Sequence, residues 1–159
     1  MSTSTSPKSP SSTDRIEKII VLNAPRSKVW RALTDSVQFG EWFQAKLEEP
    51  FTPGRRVRGP MTYPGYEHLM FEAAVEQMEP ERLFSWRWQP GGNPGVDPAE
   101  PTTLVVFELE EVPEGTRLTV TETGFDRIPA SRRAKAYRGN DEGWTGQLEA
   151  IRKYLARTS

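Results

Sequence analysis

Residues 134–155 read AKAYRGNDEGWTGQLEAIRKYL, and within them Ala134, Tyr137, Asp141, Trp144, Leu148, Ile151 and Leu155 recur at alternating steps of three and four. Such steps align side chains along one helix face, so the stretch predicts a long C-terminal helix with a buried seam. The seam is large and apolar toward its C-terminal end, but its middle holds a carboxylate, Asp141, among Gly139, Gly143 and Gly146. Each glycine costs about 1 kcal/mol relative to alanine inside a helix. Either the helix roofs a cavity into which a polar group looks, or the glycines let helix and sheet pack closely.

Upstream, the pattern changes period. Arg15 to Leu22 is rich in β-branched residues, Ile16, Ile19, Ile20, Val21 and Leu22, and predicts a strand covered on both faces. Asn23-Ala24-Pro25 stops it and opens a helix carrying Val29, Trp30 and Leu33; a second short helix holds Val37, Phe39, Trp42 and Phe43. Val57 lies in a short strand before Gly59-Pro60. Alternation then puts Leu69, Phe71, Ala73 and Val75 on one face, with His68, Glu72 and Glu76 on the other. After the Pro80-Glu81 turn, Phe84, Trp86 and Trp88 share a face; further on, Val105 and Phe107, then Leu118, Val120 and Glu122, form inward sets. Strands in a run, with helices segregated around them, predict an α+β domain in which a curved antiparallel sheet wraps the last helix.

Composition narrows the function. The 159 residues carry 21 basic and 22 acidic side chains, a net charge of −1, so no overall field favours nucleic acid or an anionic membrane. With no cysteine and one histidine, thiolate catalysis and thiolate metal sites are excluded and no metal or cofactor is expected. No run approaches the ~20 apolar residues of a membrane span, and a cytoplasmic protein is the expectation. Residues 1–13 are nearly all Ser, Thr and Pro and are expected to be a disordered tail, leaving 14–159 as one domain. The segment Pro90-Gly91-Gly92-Asn93-Pro94-Gly95 lacks the lysine and helix of a phosphate loop and reads as a rim loop beside a pocket mouth.

Several short motifs in register carry a resemblance. Ile20 to Leu33 with Asn23-Ala24-Pro25 and Val29-Trp30, then Trp42-Phe43, Gly115-Thr116, Thr123-Gly124-Phe125 and Gly143-Trp144, resemble the SRPBCC superfamily. The similar branch is the one named after activators of the heat-shock chaperone ATPase, and the likeness runs from about Arg15 to Leu155. What the resemblance implies is a helix-grip fold, like START and birch-pollen-allergen domains, whose bent sheet and long helix enclose an apolar cavity. It implies a small hydrophobic ligand as the partner, with a chaperone as a further candidate partner. Known activators in that branch carry an additional N-terminal domain, which the Ser/Thr/Pro tail cannot replace, so the co-chaperone reading ranks last.

On that reading the cavity would be walled by Trp42 and Phe43 of the second short helix and by Phe71, Ala73, Val75, Phe84, Trp86, Trp88, Val105, Phe107, Leu118 and Val120 of the sheet. Tyr137, Asn140, Asp141, Gly143, Trp144 and Leu148 would close it from the helix, with Glu122 inside. Glu122 and Asp141 are the two candidates for acid or base chemistry on a bound ligand, as in a cyclase, dehydratase or hydrolase. The alternative for both is structural: a strand-end glutamate turned to solvent, and an aspartate bonded to Tyr137, Asn140 or a backbone amide. His68 falls on the solvent side of its strand.

Overall fold

The computed structural model describes residues 14–90 and 99–158, so the expectations for the 1–13 tail and for most of the Pro90–Pro101 loop lie outside the described residues. Strand β1 (Arg15–Leu22) is followed by helices α1 (Arg26–Thr34) and α2 (Ser36–Phe43). Strands β2 (Arg56–Pro60), β3 (Met70–Glu79), β4 (Leu83–Trp88), β5 (Thr103–Val112) and β6 (Gly115–Thr123) come next. After a 3-10 turn, helix α3 (Ala130–Arg157) ends the chain. The strands form one six-stranded sheet in the order β1-β6-β5-β4-β3-β2, every pair antiparallel. This is the α+β helix-grip arrangement expected, with α3 four residues longer at its start than the spacing predicts.

Asp35 makes the helix pair compact. It ends α1 and caps α2, its carboxylate accepting from the backbone N–H of Val37 at 2.9 Å and Gln38 at 3.1 Å. The cap aims Phe39, Trp42 and Phe43 inward while Val37 stays in solvent. Phe39 then sits among Trp42, Phe43, Phe51, Phe71 and Trp86, with ring centroids 4.7–5.8 Å away. A register shift between Val75 and Gln77 marks a bulge, the usual device for bending a strand.

One expectation is overturned at the sheet edge. β1 is covered on one face only: Ile19 is 59% and Val21 44% exposed, whereas Ile16 and Leu22 are buried. Its β-branched run reports strand propensity rather than two-sided burial, because its inward residues face the helix layer while its outward residues meet no layer.

Helix α3 is held at both ends. Tyr137 donates its hydroxyl to the Arg15 carbonyl at 2.9 Å, and Lys28 donates to the Leu155 carbonyl at 3.1 Å. Tyr154 donates to the Glu41 carboxylate at 2.6 Å, tying α3 to α2. Burial, together with that carboxylate, pushes the Tyr154 phenol up to about 12. Between about pH 10, where the unfolded phenol ionises, and about 12 the unfolded chain releases its proton first. Stability therefore falls as pH rises through that window. Tyr154→Phe should flatten this part of the stability profile, as read by urea unfolding at pH 9 to 12; an unchanged slope would assign it to other groups.

Among the described residues no helix is long and apolar enough to cross a membrane.

A buried carboxylate beside an open cleft

Alternation along β6 turns Leu118, Val120 and Glu122 toward α3, and Glu122 is fully buried. Four side chains from three other elements converge on it. On one carboxylate oxygen, Trp144 Nε1 donates at 2.8 Å and Asn140 Nδ2 at 3.0 Å, both from α3. On the other, Trp88 Nε1 donates at 2.8 Å from β4, Thr103 Oγ1 at 2.6 Å from β5 and Asn140 Nδ2 at 2.9 Å. The two indole N–H groups and the amide nitrogen can only donate, so both carboxylate oxygens act as acceptors. Hydrogen bonds to a charged acceptor contribute about 1.5–3 kcal/mol each, which is how a buried anion is held without a facing cation.

The same residues fill the space between sheet and helix. Trp144 stacks on Trp88 at 5.8 Å and meets Phe107 edge-on at 5.6 Å, so the centre of the grip is an aromatic core. Phe71, Ala73, Val75, Phe84, Trp86, Val105, Leu118, Val120 and Leu148 are buried in that core and do not line the cleft beside it. Trp86 donates its indole N–H to no acceptor among the described residues, enclosed by Phe39, Phe71 and Phe84.

The open space lies to one side. A cleft of about 1100 Å³ runs between α3 and the end of α2 with the segment after β2. Trp42, Phe43 and Gln44 form one wall, Met61, Tyr63 and Tyr66 another, and Ala136, Gly139, Asn140, Gly143, Gly146, Gln147 and Ala150 the α3 side. Tyr63 and Tyr66, each 51% exposed, meet edge-to-face at 5.4 Å. A Cβ built on Gly139, Gly143 or Gly146 would touch nothing within 4 Å. None of the three has the positive φ that favours glycine, so neither close packing nor backbone strain explains them. At the mouth, Arg132 binds the Glu100 carboxylate at 2.7 Å and the Pro90 carbonyl at 3.2 Å, while Gln147 bridges to the Phe43 carbonyl at 3.5 Å.

Of the residues expected around a cavity, Trp42, Phe43, Asn140 and Gly143 line the cleft. Tyr137 lies away from it, packed edge-on against Phe125 at 5.2 Å. Asp141 does not meet Glu122: it pairs with Lys18 of β1 at 3.1 Å, and its structural link is to that lysine rather than to Tyr137, Asn140 or an amide. At about 100° per residue, Asp141 and Gly143 lie about 200° apart around the helix, on opposite flanks of the seam. The paired-carboxylate arrangement is therefore absent, and the strand-end glutamate points inward rather than to solvent. Sequence reasoning missed Gln44, Met61, Tyr63 and Tyr66; the two tyrosines bracketing Pro64-Gly65 were the available signal, two aromatics at a turn with nothing periodic around them. Among the described residues no three His, Cys, Asp or Glu side chains gather to hold a metal.

The family model described as Activator of Hsp90 ATPase homolog 1-like protein matches residues 23–156. Protein MLL2253 from Mesorhizobium loti is 26% identical, with a TM-score of 0.73 over 91% of this chain and 98% of that one. DynU16, from the dynemicin biosynthetic locus, is 27% identical with a TM-score of 0.69 over 90% of this chain, which spans 47% of the DynU16 chain. The Aha1 dimer from Colwellia psychrerythraea is 17% identical with a TM-score of 0.68, covering 89% of this chain and 95% of that one. None of the curated proteins matches the chain.

Proposed function

The chain belongs to the family of Activator of Hsp90 ATPase homolog 1-like proteins, and on that premise we propose that it binds a small, largely apolar molecule in the cleft beside α3. The observation that carries this reading is the glycine face. Gly139, Gly143 and Gly146 together forgo about 3 kcal/mol of helix stability, and nothing in the chain occupies the room they leave. A bound molecule lying against the helix backbone accounts for that cost. The aromatic and apolar walls, Trp42, Phe43, Met61, Tyr63 and Tyr66, suit a flat or greasy body, and the volume of about 1100 Å³ is just above the usual range of small-molecule sites. The likeness to a protein from a biosynthetic locus supports the small-molecule side of the reading. The likeness to the Colwellia Aha1 dimer, at 17% identity, supports the fold alone.

Gly143→Leu tests it, with 1-pyrenemethanol as a fluorescent probe. Leucine adds about 0.8 kcal/mol of helix propensity and its Cβ meets no atom within 4 Å, so the melting temperature should hold or rise by about 2 °C. Probe affinity should fall at least about tenfold, a change of 1.4 kcal/mol in binding. Unchanged affinity in a folded variant, or a variant that unfolds, would overturn the reading.

A further inference from the structure

We propose that the cleft selects molecules bearing a hydroxyl or amine N–H on an apolar body, recognised by the side-chain carbonyl of Asn140; this rests on the ligand-binding reading above. The orientation of that amide follows from chemistry. Asn140 Nδ2 donates to both oxygens of Glu122, at 3.0 and 2.9 Å. The flipped amide would set a carbonyl oxygen against a carboxylate, two acceptors with no proton between them, so only one orientation satisfies the pair. With Nδ2 held between the two oxygens of the buried glutamate, Oδ1 is turned from them, and among the described residues no donor reaches Oδ1. Asn140 is itself a cleft residue, between Gly139 and Gly143 on the open flank of α3.

The polar groups beside Asn140 on the α3 side of the cleft differ in kind. Arg132 is engaged by Glu100 and Pro90, and Gln147 donates to Phe43, while Lys135 and Glu142 are exposed. Asn140 alone is anchored from behind by a fully buried carboxylate, which Trp88, Thr103 and Trp144 hold in turn. An acceptor fixed in this way loses little freedom when a ligand donor arrives, so its contribution to selectivity is retained. The Glu122 cluster is thus a positioning device: it buries charge to aim one neutral oxygen into the cleft.

The test compares 1-pyrenemethanol with 1-methylpyrene, a pair differing by the hydroxyl, by fluorescence titration of the full chain. The wild type should bind the alcohol about tenfold more tightly, the effect of one hydrogen bond made or left unmade. Asn140→Leu should bring the two affinities together, and Asn140→Ser should restore part of the difference. Equal affinities in the wild type, with both weakened by Gly143→Leu, would overturn this inference and leave the cleft reading standing. The same holds if the preference survives Asn140→Leu. Probes that fail to bind, or that ignore Gly143→Leu, would overturn the cleft reading and this inference together.

Discussion

A Glu122→Gln chain is expected to unfold about 3 kcal/mol more easily than the wild type, with the melting temperature lowered by about 6–12 °C for a chain of this size. Glutamine keeps the shape and removes the charge, which on desolvation grounds alone would be favourable. It also exchanges one acceptor oxygen for a donor. Whichever way the new amide turns, its NH2 faces an indole: Trp144 on one side, or Trp88 with Thr103 on the other. Asn140, which spans both oxygens, must also give up one of its bonds. Each buried donor left without a partner costs about 1–3 kcal/mol, and that penalty exceeds the relief from discharging the carboxylate. Glu122→Leu strands all four side-chain donors and should be worse, with urea midpoints falling in the order wild type, Gln, Leu. If Gln and wild type unfold at the same midpoint, the cluster is not the stabilising centre that its geometry implies.

That cluster shows where sequence pattern runs out. Period-two alternation was enough to turn Glu122 inward and to place Phe84, Trp86 and Trp88 on one face, because a strand has only two faces to choose between. Alternation does not say which side chains meet across the interior. Trp88, Thr103, Asn140 and Trp144 reach Glu122 from 18 to 34 positions away, through three different elements. The helix was legible in existence and direction, but its phase drifted. Strict steps of three and four repeat every 3.5 residues, whereas a straight helix turns every 3.6, a slip of about 20° per heptad. Counted back from Leu155, two heptads carry Asp141 and three carry Ala134 off the buried face, and Ala136 and Asn140 take their place beside Trp144 and Leu148. Helix geometry, with Gly139 and Gly143 each two residues or about 200° from Asp141, sets the glycine face apart from it. The slip moves the expected hollow from beneath the helix, where Phe107 and Trp88 meet Trp144, to the helix's flank. The wall carrying Met61, Tyr63 and Tyr66 comes from a connection with no periodicity to read.

The integrity of that wall depends on a glycine outside the helix, and Gly59→Ala should lower stability by about 2–4 kcal/mol. β2 is the last strand of the sheet, and its outer edge is covered by the chain returning from α2. Lys46 N–H donates to the Pro60 carbonyl at 2.9 Å, Glu48 N–H to the Arg58 carbonyl at 3.1 Å, and Ala45 bridges to Met61. A Cβ on Gly59 would stand 1.9 Å from the Lys46 carbonyl oxygen and 2.9 Å from Leu47 Cα, contacts that only backbone movement can relieve. The covering segment must lift, which costs its two hydrogen bonds and bares a strand edge. Met61 and Gln44 lie at the hinge of this contact: Thr62 N–H donates to the Gln44 carbonyl at 2.8 Å, and both Gln44 and Met61 line the cleft. The expected signature is therefore double. Hydrogen exchange should accelerate at the Lys46 and Glu48 amides ahead of those in β5 and β6, and affinity for 1-pyrenemethanol should fall although no residue of the cleft has been changed. Exchange that rises uniformly across the sheet would mean that the substitution acts on global stability alone and that the covering segment does not shape the cleft.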